Sequence, residues 1–200
     1  MVAKKLLIIA FTLVFQSSPK TILFFGDSLT AGYGLSPEEA FPALVEQKLA
    51  KNGKPSKVVN AGLSGETSAG GLTRIDWILR QPVDIFVLEL GANDGLRGLP
   101  PDQTQKNLQA IIDKVKAKYP KVRVVVAGMM VPPNMGQDYT TKFRKIFPEI
   151  AKKNNATLIP FLLQDVAGNE KLNQADGIHP NVEGHRIVAD NVYKVISNLW

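Results

Sequence analysis

Cysteine is missing from all 200 positions, so the chain has no disulfides and no thiolate metal sites, and its redox compartment has to be read from something else. Histidine is nearly missing. His179 and His185 are the only two, too few for a zinc site, and no metal or cofactor is expected. There is no basic run and no basic patch interleaved with aromatics, so the net charge of +6 reads as a solvated basic surface, and nucleic acid is not an expected partner. Weak contact with an anionic membrane surface or lipid is the partner such a charge still suggests. Internal repeats, linkers and low-complexity segments are absent too, and 44% hydrophobic with 21% charged residues fits a single globular domain, expected as a monomer.

The N-terminus has its own character. Met1-Val2-Ala3-Lys4-Lys5 followed by the apolar run Leu6 to Phe15 has the charge-then-apolar shape of a secretory signal, and the run is too short to span a bilayer as a helix. Residues 1–18 are therefore expected to be a leader, residues 19–200 the folded domain, and the product periplasmic or secreted. The cleavage site is imperfect, because Gln16 or Phe15 would stand where a small residue is preferred.

The chain is organised around Thr21-Ile22-Leu23-Phe24-Phe25-Gly26-Asp27-Ser28. Its apolar residues read as a buried strand, and Gly26-Asp27-Ser28 breaks that strand sharply. Ligands of open α/β sheets bind at the carboxyl ends of the strands, so Ser28 is a candidate nucleophile from its position. Far along the chain, Asp176-Gly177-Ile178-His179-Pro180-Asn181 offers a base and a carboxylate three residues apart. A serine hydroxyl needs a base to take its proton, and the base works best when a carboxylate fixes its tautomer. The order Ser28, Asp176, His179 matches neither the chymotrypsin nor the subtilisin arrangement. Ser28 in Gly-Asp-Ser-Leu-Thr and Ser64 in Gly-Leu-Ser-Gly both lack the nucleophile elbow of α/β-hydrolases.

Four blocks, Gly26–Leu29, Asn60–Ser68, Glu89–Gly98 and Asp176–Asn181, together resemble an SGNH (GDSL-type) hydrolase, in the branch of bacterial thioesterase I, lysophospholipase and arylesterase. The resemblance spans residues 21–200. It implies Ser28 as nucleophile, His179 as base, Asp176 as orienter, and an oxyanion hole of Ser28, Gly65 and Asn93. It also implies a flavodoxin-like strand order, 2-1-3-4-5. Ala92 stands where the branch usually has glycine, and Gly62 where it often has serine.

Element by element, Leu29 to Leu35 reads as a Gly-rich loop. Ser36-Pro37-Glu38-Glu39 reads as a capping box that starts a helix running to Lys51. Strands follow at 57–60, 83–90, 122–127 and 156–161, and helices at 67–80, 102–118, 139–154 with a kink at Pro148, and 180–198. Right-handed crossovers then favour a three-layer α/β/α sandwich with five parallel strands. Asn93-Asp94-Gly95 is expected to be a turn, and His185 a surface residue beside charges.

The expected activity is cleavage of acyl esters or thioesters through an acyl-enzyme. Leu96, Leu99, Met129, Met130, Val131 and Ile178 would form an apolar rim for the acyl chain, with the methionines exposed. Two other readings compete. A carbohydrate O-acetyl esterase would share the triad but wants a polar cleft. A flavodoxin-like binder would hold a phosphate in the loop Ser28 to Tyr33, but has no use for the Asp176–His179 pair.

Overall fold

The computed structural model describes residues 18–200; residues 1–17 of the expected leader lie outside the described residues. Five strands, β1 (Lys20–Gly26), β2 (Ser56–Gly62), β3 (Ile85–Glu89), β4 (Arg123–Ala127) and β5 (Thr157–Ile159), form one sheet. Every pairing is parallel, in the order β2-β1-β3-β4-β5. Parallel strands are covered on both faces, and β1 and β3 show it. From Leu23 to Gly26 and from Ile85 to Glu89 every residue is buried. Alternation sends successive side chains of β1 to opposite faces. The Phe24 ring meets Phe41 edge-on at 5.5 Å, while Phe25 has the Arg74 guanidinium 4.2 Å from its centroid.

Among the described residues seven α-helices accompany the sheet: α1 (Ser28–Ala31), α2 (Phe41–Lys51), α3 (Ser68–Ile78), α4 (Ala92–Leu96), α5 (Pro101–Lys118), α6 (Gln137–Asn154) and α7 (Val182–Ile196). Helices α2 and α7 pack together, as do α3 with α5 and α5 with α6. The result is the expected three-layer sandwich.

Several local expectations give way. The Gly-rich loop begins with a helical turn, α1, capped by the Asp27 carboxylate on Leu29 N–H. The Ser36–Glu39 pair forms as a capping box would, with Glu39 Oε2 accepting from Ser36 N–H at 3.1 Å and Ser36 Oγ at 3.0 Å. It closes only a turn, because Pro42 in the first turn of α2 sets the helix start later, after Ala40. Asn93-Asp94-Gly95 lies inside the short helix α4. Helix α6, which contains Pro148, begins at Gln137, two residues before the expected start, and ends at Asn154.

His185 is not on the surface. It is 1% exposed, stacks on Phe41 at 6.2 Å, and its Nδ1 accepts the Phe41 N–H at 3.1 Å. The helical repeat explains the difference, since His185 shares a face with the buried Val188, Ala189 and Val192, and its charged sequence neighbours point elsewhere.

Candidate active site

Register fixes the site. Gly26 pairs with Gly62 on one side and Glu89 on the other, so the segments leaving β1, β2 and β3 depart at one level of one rim. Those segments carry Ser28, Gly65 and Asn93. The segment between β5 and α7 brings Asp176 and His179 over them.

His179 Nε2 lies 3.0 Å from Ser28 Oγ, and His179 Nδ1 lies 2.6 Å from Asp176 Oδ2. The other carboxylate oxygen, Asp176 Oδ1, accepts Ile178 N–H and His179 N–H, each at 3.0 Å. That local turn aims Oδ2 at the ring. Those hydrogen bonds, first from the His179 backbone and then from its ring, hold the Asp176 pKa down at about 2. A carboxylate only accepts, so Nδ1 carries the hydrogen and Nε2 presents a lone pair to the serine hydroxyl. The Tyr33 ring packs on the imidazole with centroids 4.7 Å apart.

Three further donors converge beside Ser28. Its own N–H and that of Gly65 reach no protein acceptor among the described residues. Gly65 has φ +78°, the left-handed region that favours glycine, and its carbonyl accepts from Arg97 Nη2 at 3.0 Å. Asn93 Nδ2 donates to Asp27 Oδ2 at 3.1 Å.

Buried charge braces these loops, and sequence reasoning gave these residues no role. Arg74 forks onto the buried Glu66 with Nε 2.6 Å from Oε1, and its Nη2 reaches the Ala61 carbonyl at 2.8 Å. Asp94 accepts from Ser68 N–H at 2.8 Å and Thr104 Oγ1 at 3.2 Å, tying α4 to α3 and α5. Beneath the serine, Glu89 Oε2 accepts from Asp27 N–H, Thr30 N–H and Thr30 Oγ1. Only glycine fits at position 26, where a Cβ would lie 2.3 Å from Glu89 Oε2. Burial pushes the Asp27 carboxyl up to about 6 and Glu89, beside it, well above its ordinary range. A charged residue at the end of an apolar strand was the available sign for Glu89.

A cavity of about 640 Å³ opens beside Ser28 and His179. Of the expected rim residues, Leu96, Met129, Met130, Val131 and Ile178 line it. Met129 does so from a buried position, at 2% exposure, rather than as an exposed methionine. Leu99 does not line it, and its carbonyl accepts from Tyr139 Oη at 2.8 Å. Phe161, Leu163 and Ala167, which no sequence pattern marked, supply more of the apolar wall. Among the described residues no cluster of three or more acidic or histidine side chains could hold a metal ion.

A profile of the GDSL-like lipase/acylhydrolase family matches residues 24–187. The chain is 38% identical over 185 residues to Esterase TesA of Pseudomonas aeruginosa, covering 92% of this chain and 91% of the relative. It is 39% identical over 180 residues to Thioesterase 1/protease 1/lysophospholipase L1 of Escherichia coli, covering 90% and 84%. The crystal structure of TesA superimposes with a TM-score of 0.86 at 38% identity, over 90% of this chain and all of that one.

Proposed function

Because the chain belongs to the GDSL-like lipase/acylhydrolase family and hydrolyses acyl esters or thioesters, we propose that Ser28 is its nucleophile, His179 the general base and Asp176 the orienting carboxylate. Ser28 N–H, Gly65 N–H and Asn93 Nδ2 form the oxyanion hole. The observation that carries this reading is the unbroken line from Asp176 Oδ2 through the imidazole to Ser28 Oγ, with links of 2.6 and 3.0 Å.

The chemistry follows from that line. Ser28 Oγ attacks the acyl carbonyl as its proton passes to His179 Nε2, and Asp176 stabilises the imidazolium. The three donors take the negative charge that develops on the carbonyl oxygen. His179 then gives its proton to the departing alcohol or thiol. Water, activated by the same nitrogen, attacks the acyl-serine and restores the enzyme.

The apolar cavity receives a linear acyl chain, and the leaving group faces solvent, so aryl esters, acyl thioesters and lysophospholipids are all substrates. Tyr33, Met130 and Ile178 are exposed at the mouth and support weak contact with lipid surfaces by a monomeric enzyme. Lys4, Lys5 and the apolar run after them support export; among the described residues no helix is long and apolar enough to cross a membrane. Sequencing the N-terminus of protein recovered outside the cytoplasm checks export, and an intact Met1 on cytoplasmic enzyme rejects it.

Ser28→Ala tests the central assignment. It should lower kcat by roughly 10³-fold or more, the scale of triad deletions in serine proteases. A fluorophosphonate should label Ser28 alone, and labelling at Ser64 instead would sink the proposal.

A further inference from the structure

Ser28 and His179 are 151 residues apart and sit on segments that share no strand or helix. The base segment is exposed from Ala175 to Ile178, yet the imidazole stands within hydrogen-bonding distance of the serine. Besides the Ser28–His179 contact and the packing of Tyr33 on His179, the Gln174 side chain joins the two segments. Gln174 Nε2 donates to Tyr33 O at 2.7 Å and to Pro180 O at 3.1 Å. Its backbone N–H donates to His179 O at 2.7 Å, and its carbonyl accepts Gly177 N–H at 2.9 Å.

Tyr33 belongs to the nucleophile's side. Its N–H donates to Ser28 O at 3.0 Å, and its ring packs on His179. A continuous path thus runs from the Ser28 carbonyl through Tyr33 and the Gln174 amide to the His179 carbonyl. The fit is close. A Cβ at residue 34 would fall 2.4 Å from Gln174 Oε1, and glycine stands there. An amide nitrogen carries two hydrogens, and here it faces two carbonyl oxygens, so donor number and acceptor number match.

We propose that Gln174 is a positioning residue, which holds His179 against Ser28 by strapping the base segment to the segment that follows the nucleophile. The proposal rests on the triad reading above. The root of the base segment has other anchors. Asn173 bridges to Pro180, and Asn173 Nδ2 donates to the carbonyls of Val166 and Asn169. Removing the Gln174 amide therefore loosens the aim of the ring and leaves the loop in place. Misplacement of a reacting group by about 1 Å costs on the order of 10²-fold in rate, which sets the scale of the expected effect.

The test compares full-length wild type with Gln174→Ala, Gln174→Glu and Ser28→Ala, using a p-nitrophenyl ester. Gln174→Glu keeps the shape but turns an oxygen toward two carbonyl oxygens. Both Gln174 variants should lose about 10- to 100-fold in kcat, with KM within about twofold of wild type. The downfield proton resonance of His179 Nδ1, bonded to Asp176, should broaden or vanish although the melting temperature hardly moves. A folded Gln174→Glu enzyme with wild-type kcat and an unchanged resonance would overturn the strap. So would a loss of activity that only tracks a loss of folded protein. If Gln174→Ala does not fold, Gln174→Met fills the same space without donors and carries the same expectation; failure of all three to fold would make the residue a structural strut and end the proposal. Activity retained in Ser28→Ala would instead remove the triad reading itself, whereas an inactive Ser28→Ala beside fully active Gln174 variants rejects the strap alone.

Discussion

Asp27 Oδ2 accepts a hydrogen bond from Asn93 Nδ2 at 3.1 Å, so the residue that precedes the proposed nucleophile holds the side-chain donor that arrives from another loop. Its second oxygen, Oδ1, accepts Leu29 N–H at 3.0 Å and caps the turn that carries Ser28. One buried carboxylate thereby sets both the serine and the amide. The second Nδ2 hydrogen of Asn93 is the one that the proposed oxyanion hole would use.

Asn93→Ala should lower kcat by roughly 10²- to 10³-fold with little change in KM, as for other side-chain donors to an oxyanion. Asp27→Ser retains a capping oxygen but cannot reach Asn93. It should lower kcat in the wild-type background and add nothing in the Asn93→Ala background. Steady-state kinetics of the double-mutant cycle measures this, and additive losses would show that Asp27 acts by another route.

Glu89 is wholly buried, and its Oε1 meets no hydrogen-bond partner among the described residues. Burial first, and the Asp27 carboxylate second, push its pKa well above the ordinary 4.5. A pKa raised by folding contributes stability that is present below the unfolded value and lost as pH rises through the folded one. Glu89→Gln offers an acceptor to the same three donors and does not ionise. Its melting temperature should therefore gain on wild type as pH goes from 5 to 8, and a difference that stays constant over that range rejects the argument.

His185 works in the opposite sense. Burial first, and the nearby His179 second, lower its pKa from 6.5 to about 4; the neutral ring also accepts the Phe41 N–H, as a protonated one could not. The unfolded chain then binds a proton that the folded chain refuses, so stability is complete above about pH 6.5 and is lost as pH falls toward 4, by roughly 3 kcal/mol in all. His185→Gln keeps an acceptor without this titration. Denaturation midpoints of the two proteins should converge, or cross, as pH is lowered through this window.

Met130 lines the cavity from a half-exposed position. Each methylene buried there is worth roughly 0.8 kcal/mol, and a carboxylate beside it would oppose that burial. Met130→Asp should depress kcat/KM for long acyl chains far more than for acetate, measured across a p-nitrophenyl ester series. An unmodified enzyme that prefers acetylated sugars to every longer acyl chain would instead favour the carbohydrate O-acetyl esterase reading.

The parts legible in the chain were those written in short-range signals. Five apolar runs, four of them stopping at Gly or Asn, marked a parallel sheet and the rim where its loops gather. Ser28, Asp176 and His179 could be named because they stay near the strand and helix ends that present them, whereas Gly65 and Asn93 were named by the family resemblance of their blocks. Contacts between distant segments left no such mark. The burial of His185 depends on Phe41, 144 positions away, and the role of Glu89 depends on a turn that reaches it only once β1 and β3 pair. Leu99 and Leu96 read alike in sequence, yet only Leu96 faces the cavity, because the fold of α4 decides which way each one points. Local propensity and periodicity are set by neighbours within a turn or two, and so the sequence by itself determined the elements and which residues are proposed for the triad. Which buried carboxyls shift in pKa, which side chains wall the cavity and how Gln174 spans two loops are sums over contacts far apart in the chain, and only the tertiary structure decided them.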